Sequence, residues 1–330
     1  MTRAVLPAPQ AAQAPSGLLV WAALWTVYIV WGSTYLGMRV LVETVPPLIS
    51  NGTRVIFAGT LMLGVLALCR RSIRITREQA LNCLLVGTLL MGAVATVGTA
   101  EEHVPSNLAA LLVACVPLWV LLLRRAGGEP IAPRLVLAVV IGFAGVGILL
   151  QPGGQTGGAG LGWLLLVVCS TPAWAAGSYI SSRVTLPSHP LVSVGWQMLL
   201  GGTVVTLAGV VKGEPADIDF GAISDDSIIA WFYLALIGSG LAFTAYTWLL
   251  QNAPLQRVAT YAYVNPVVAI VLGWLVLDEV ITPITLIGAA IIVVSVFLVV
   301  RIEAGLRANV KRERHGSGQI GAAAALERDG

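Results

Sequence analysis

Ten apolar stretches, joined by connections too short to fold on their own, leave this chain one class of structure. They fall near residues 18–38, 48–69, 80–99, 106–123, 135–150, 161–181, 191–211, 228–249, 258–277 and 284–301. At about 1.5 Å per residue a helix of about twenty residues crosses the ~30 Å hydrocarbon layer of a membrane; the fourth and fifth stretches are short for this and suit little tilt or a locally thin bilayer. Hydrocarbon offers no partner to an unpaired peptide group, so only helices or a closed barrel can span it. Charged residues are 11% of the chain, against roughly a quarter in soluble domains, and the mean hydropathy is +0.87. A water-soluble domain is thereby excluded, and the expected fold is an all-α polytopic membrane protein of ten transmembrane helices.

The basic residues orient the helices. With the N-terminus in the cytoplasm, Arg3, then Arg70, Arg71, Arg74 and Arg77, then Arg124, Arg125 and Arg134, then Arg183, Arg257 and the basic tail after Arg301 all fall on one side. Arg39 and Lys212 alone fall on the other, and Arg54 lies inside a span. Cytoplasmic loops carry the excess of Lys and Arg, so both termini are expected in the cytoplasm. Residues 1–17 form a polar segment without the basic start and cleavage site of a secretory signal, which makes the first apolar stretch a retained span. Residues 302–330 read as a basic, disordered tail. The net charge of +3 is therefore topological and does not point to nucleic acid.

The chain is also a doubled unit. Pro105–Pro117, PSNLAALLVACVP, recurs as Pro254–Pro266, PLQRVATYAYVNP, and Trp31–Arg39, WGSTYLGMR, lies over Ala175–Arg183, AAGSYISSR, pairing Tyr35 with Tyr179 and Arg39 with Arg183. Shared hydrophobicity alone does not align prolines, tyrosines and arginines. The first repeat spans 18–150, a Gly-rich linker 151–160, and the second repeat 161–301. Five spans per repeat is an odd number, so the second copy threads the membrane in the opposite sense. Inverted repeats of this kind build two exchangeable conformations around a midplane site in transporters.

Several polar residues are then candidates for contact with a small-molecule substrate. Arg54 is a cation within a span, which is costly unless paired or hydrated; it suits a carboxylate in a cavity, or else a structural pair with Glu43 or Glu101. The repeat places Gln197 opposite Arg54 and Gln256 opposite Asn107. Pro117 and Pro266 interrupt the backbone ladder at depth and mark helix breaks or gates. Tyr261 and Asn265, four apart, share a face. Trp31, Tyr35 and Tyr179 belong to a repeated motif and are expected to stack on substrate or gate it, with the interfacial aromatic belt as the alternative. Glycines such as Gly59, Gly64, Gly142, Gly145, Gly201 and Gly202 read as close helix contacts.

No catalytic, metal or cofactor site is expected. The phosphate-cradling GxxxxGK[ST] is absent, the three histidines fall in loops or the tail, and Cys69, Cys83, Cys115 and Cys169 show no metal spacing. His103 beside Glu101 and Glu102 is a candidate for proton coupling, or a solvated loop cluster.

The WGSTYLGMR motif closing the first span, the EEHVPSNLAALLVACVPLW segment, and Pro266 followed by Asp278, Glu279, Pro283 and Gly288 resemble the EamA group of the drug/metabolite transporter superfamily over residues 18–301. Within it the chain looks most like bacterial inner-membrane exporters of the aromatic amino-acid exporter type. That resemblance implies a basket of helices around a central cavity, the fifth and tenth spans outside it, and Glu129 and Glu279 as structural helix caps. It implies a secondary transporter exporting amino acids or related metabolites by alternating access; a passive facilitator and an exporter of small aromatic or drug-like compounds are the alternatives.

Overall fold

The computed structural model describes residues 17–151 and 159–326, with side-chain surroundings for all of these but 255, 256, 304 and the stretch from 306 onward. Residues 1–16, most of the linker and 327–330 lie outside it. The first repeat contributes α1 (Gly17–Leu41), α2 (Pro47–Leu68), α3 (Arg77–Ala100), α4 (Ser106–Val113), α5 (Val116–Ala126) and α6 (Pro133–Leu149). The second contributes α7 (Leu161–Ser181), α8 (Pro190–Lys212), α9 (Asp225–Phe232), α10 (Ala242–Asn252), α11 (Leu255–Val258), α12 (Tyr261–Leu277) and α13 (Pro283–Leu326). Residues Tyr233–Leu241 form a π-helical stretch that joins α9 to α10 as one span. Among the described residues eight spans are long and apolar enough to cross a membrane, and α6 and α12 are shorter apolar helices, so the ten expected stretches are all helical.

Local chemistry explains where these helices begin. Pro47, Pro133, Pro190 and Pro283 each open a helix, where the missing N–H has no intrahelical partner to lose. The other type of start is a capping box: Gln79 N–H donates to Thr76 Oγ1 (3.2 Å) and Thr76 N–H donates to Gln79 Oε1 (3.0 Å). The fourth expected span is divided at Ala114 and Cys115, with Pro117 in the first turn of α5. Pro266 behaves differently from its counterpart. It lies inside α12, which continues through it, and the break in that span comes earlier, between α11 and α12. One lost bond is tolerated in a span that neighbouring helices hold straight. The C-terminal segment is helical to Leu326 instead of the expected disordered tail; its Ala, Arg, Glu and Leu residues are good helix formers.

Helix pairing follows the duplication. The contacts α2 with α8 and α6 with α13 each join elements that are counterparts in the two repeats, as a pseudo-twofold axis requires, and the contact of α4 with α12 joins the fourth spans of the two repeats. At the crossing of α2 and α8, Gly52 meets Gly202 and Gly59 meets Gly195. Gly52 is the repeat equivalent of Gly195, and Gly59 of Gly202, so this contact maps onto itself when the halves are exchanged. Small residues let the two backbones approach, which is what drives association where lipid is as apolar as leucine. Ser295 Oγ, on α13, donates to the Ala138 carbonyl of α6 at 2.6 Å, and on the related site Gly288 sits against Gly145. Gly64, in contrast, has nothing within 4 Å of a built Cβ and is no contact point.

The tightest approach joins α3 to α8, where a Cβ on Gly201 would overlap the Gly87 carbonyl. Gly201→Val is expected to destabilise the protein by about 1–3 kcal/mol through overpacking, while Gly64→Ala leaves the midpoint unchanged. Thermal unfolding of the two variants in detergent checks this.

Candidate functional site

Where two proline-bearing spans meet the ends of others, the bundle encloses a cavity of about 180 Å³. One water needs about 10–15 Å³ of such space, so the cavity holds roughly a dozen waters or one small organic molecule. It is lined from both repeats, by α1 (Trp31, Thr34, Tyr35, Met38), α2 (Arg54), α3 (Met91, Val94, Val97), the α4–α5 break (Val113, Ala114, Pro117), α7 (Ser170, Thr171, Trp174), the π-helical stretch (Gly238, Ser239), α10 (Phe243) and α12 (Tyr261, Ala262, Asn265, Pro266). Neither α6 nor α13 contributes a lining residue among the described ones.

The two prolines do related work at this cavity. Pro117 has no N–H for the Val113 carbonyl four residues back, and Pro266 has none for the Ala262 carbonyl. All four residues line the cavity, and Val113 and Ala262 are repeat equivalents. Two carbonyls freed by symmetry thus border one space, where irregular backbone is tolerated because it faces a cavity and not lipid. The π-helical stretch supplies a third irregularity: the Gly238 carbonyl accepts from Trp31 Nε1 (3.3 Å), and Ser239 Oγ accepts from Arg54 Nη1 (3.4 Å).

One wall is aromatic. Trp31 lies 5.1 Å from Phe243, 5.0 Å from Tyr246 and 5.1 Å from Tyr261, and Tyr246 lies 5.7 Å from Tyr261, all within the range of favourable edge and tilted ring contacts. Asn265, on the next turn of α12, donates its amide to the Tyr261 carbonyl (3.2 Å) and the Tyr28 carbonyl (3.3 Å). Arg54 lines the same cavity. It is buried, its Nε donates to Asn51 Oδ1 (3.0 Å), its Nη2 approaches Met38 Sδ (3.7 Å), and among the described residues it forms no ion pair. The expected alternative of a direct pair with Glu43 or Glu101 is therefore absent.

The structure brings together Trp31, Tyr35, Arg54, Tyr261, Asn265, Pro117 and Pro266 at the cavity and leaves the other candidates elsewhere. Gln197 is buried on α8, donating to Ser193 Oγ (2.8 Å). Tyr179 lies at the end of α7 under the Arg183 guanidinium, 3.5 Å from the ring centroid. Asn107 is buried in the first turn of α4, its Nδ2 without a partner, and the Gln256 side chain lies outside the described residues. Trp174, one of several aromatics that the sequence offers for a cavity lining or an interfacial belt, is in the lining, and Phe243 and Ser239 join it unforeseen. The Glu101–Glu102–His103 cluster is divided: Glu101 is fully buried, whereas His103 is exposed and stacks on Trp163 at 4.1 Å.

Two carboxylates, equivalent in the repeats, lie at the ends of spans. Glu279 accepts the Ser106 N–H (2.6 Å) and the Asn107 N–H (3.0 Å), so a residue of the second repeat caps the N-terminus of α4 in the first. A carboxylate there satisfies orphan donors and meets the positive end of the helix dipole. Its counterpart Glu129 makes no such cap among the described contacts. Glu129 accepts from Arg124 Nε (2.7 Å) and Arg183 Nη2 (2.5 Å), and Arg124 also reaches Glu303. Hydrogen bonding from Arg124, reinforced by the two guanidinium charges, holds the Glu129 carboxyl below its usual range.

Residues 19–151 and 161–301 each match the EamA-like transporter family. The chain belongs to that family. An uncharacterized inner membrane transporter of Escherichia coli (strain K12), YedA, is 37% identical over 284 residues, covering 86% of this chain and 90% of the relative. A WAT1-related chloroplastic protein of Arabidopsis thaliana is 24% identical over 85% of this chain and 69% of its own length. A solved crystal structure superposes with a TM-score of 0.59 at 20% identity, over 88% of this chain and 99% of the other, which shows a shared fold. The protein is a multi-pass membrane transporter.

The cap on α4 gives a direct test. Glu279→Ala is expected to cost about 1–2 kcal/mol and Glu279→Gln less, because one acceptor oxygen remains. Glu129→Ala, losing only solvated pairs, shifts the unfolding midpoint little; thermal unfolding in detergent compares all three.

Proposed function

We propose that this EamA-family transporter exports amino acids or related small metabolites carrying a carboxylate across a bacterial inner membrane, by exposing the central cavity to one side and then the other. The observation that carries this is Arg54: a buried guanidinium without an ion pair among the described residues, lining a cavity that Trp31, Phe243 and Tyr261 also line. Such a site takes a bidentate carboxylate on one side and an apolar or aromatic body on the other. Asn265 and the carbonyls freed by Pro117 and Pro266 offer acceptors for a substrate ammonium or hydroxyl. Of the other sequence candidates, Asn107 serves the α4 end through Glu279, and Tyr179, Gln197 and Gln256 are assigned to the cytoplasmic half and the repeat interface. The inner-membrane location follows YedA's description, and the cytoplasmic termini follow the distribution of Arg and Lys.

Alternating access is supported by the unequal use of two equivalent carboxylates. Glu279 holds the N-terminus of α4, whereas Glu129 is held by Arg124 and Arg183. Exchange of conformations between inverted repeats would release the first and let Glu129 cap α11. A passive facilitator is the second reading, favoured by one observation: no Asp or Glu lines the cavity among the described residues.

Counterflow into liposomes preloaded with unlabelled amino acids and metabolites tests the proposal. Exchange of a labelled amino acid is expected in vesicles with the protein and not in protein-free ones. Arg54→Gln is expected to weaken carboxylated substrates about tenfold or more, the value of a lost charge-assisted bond, and neutral amide analogues by less than about twofold. Equal loss for both would assign Arg54 to structure. Accumulation against a gradient would exclude the facilitator.

A further inference from the structure

No carboxylate lines the cavity among the described residues, but one is buried at the end of α3. Glu101 ends α3 as its C-cap residue, in the turn beyond the span. It is 0% exposed, and neither of its carboxylate oxygens has a hydrogen-bond partner. A buried, unpartnered acid is costly in its charged form, and such groups mark functional sites in membrane proteins. The next turn adds two more buried polar atoms without partners, Ser106 Oγ and Asn107 Nδ2.

Charged and titratable groups on several elements act on Glu101. Arg39, on α1, donates to its main-chain carbonyl, and Glu101 interacts electrostatically with Tyr35 on α1, Arg54 on α2 and Glu279 in the turn after α12. Its own turn adds half-buried Glu102, near Lys212 and Glu214, and exposed His103. Burial pushes the Glu101 carboxyl well above the usual carboxylate range, Glu279 adds to the rise, and Arg39 and Arg54 oppose it. Arg54 is the one of these cations that also lines the cavity.

We propose that Glu101 is a proton-binding site linked through Arg54 to an organic anion in the cavity, so that proton and anion bind together. The inference rests on the assignment of Arg54 as the partner of the substrate carboxylate. An anion on Arg54 brings one negative charge, which offsets the positive charge that Glu101 feels. That change raises the affinity of Glu101 for a proton, which passes from solution to a carboxylate oxygen and leaves when the anion departs. The linkage is reciprocal: at high pH the ionised Glu101 competes with the anion for Arg54, and at low pH the neutral acid does not. Anion affinity therefore rises as pH falls, by at most about tenfold per pH unit for one proton. A monoanion then crosses with its proton as a neutral pair, so export is driven by the metabolite's own gradient and opposed by an inward proton gradient.

The test is calorimetric titration of the purified full-length protein with 3-phenylpropionate and its neutral isostere 3-phenylpropionamide, from about pH 8.5 to about pH 5.5, in two buffers of different ionisation heat. The wild type is expected to bind the carboxylate about tenfold or more tightly at the acid end and to take up protons on binding. The amide is expected to bind without pH dependence or uptake. Glu101→Gln is expected to bind the carboxylate with a pH-independent affinity and no uptake, and His103→Asn to behave as wild type. Carboxylate binding without proton uptake in the wild type overturns the linkage and leaves the Arg54 site standing; this needs no variant, so a Glu101→Gln protein that fails to fold leaves the outcome decided. Uptake that persists in Glu101→Gln, or is lost in His103→Asn, also overturns it. Equal binding of carboxylate and amide overturns the Arg54 assignment instead, and failure of the wild type to bind either removes the aromatic-anion cavity beneath both.

Discussion

A peptide group in hydrocarbon has only the protein to bond to, and this requirement makes each irregularity in the bundle informative. Most of the chain meets it with uninterrupted helix. The exceptions are the breaks at Ala114 and Cys115 and between α11 and α12, the π-helical stretch at Tyr233–Leu241, and the prolines at 117, 172 and 266. Residues in or beside each of these line one cavity, because inside the bundle is the one place where a freed carbonyl can be left for water or a ligand. The closeness of α2 and α8 at their glycines holds the two repeats together on the axis, and the remaining spans arrange themselves about it.

Charge is handled with the same economy. Buried Arg54 and Glu101 interact with half-buried Arg39 and Glu279, while Glu214, also buried, accepts the Leu48 and Ile49 N–H groups at the start of α2. In a medium of low effective dielectric, charges without direct contact still govern one another, which is why an ion bound at Arg54 is felt at Glu101. Glu279 belongs to the same group yet answers a different need, the unpaired N–H groups of α4.

Much of this was legible along the chain. Arg54 stood out as a cation in an apolar run, Pro117 and Pro266 as a repeated pair, and Trp31 and Tyr35 as part of a repeated motif; all line the cavity. Repeat equivalence failed as a guide at Gln197 and Tyr179, since two copies of a fold in different local conformations do not give equivalent residues the same neighbours. Glu101 sat in a run of charges that reads as solvated, and its burial comes from α1, α2 and the turn after α12, none adjacent in sequence. Phe243 and Ser239 carried no signal, because their facing depends on the altered register of the π-helical stretch before them.

The sequence by itself determined the apolar spans and the duplication, and set an expected threading through the membrane. Hydrophobic length, the placement of Arg and Lys, and a repeated spacing are properties of the chain read in order. Only the tertiary structure decided which polar side chains share a space, which are held against another helix, and that one loop carboxylate is sealed from water. Burial depends on what distant segments bring to a residue, and that information appears only when the two halves pack.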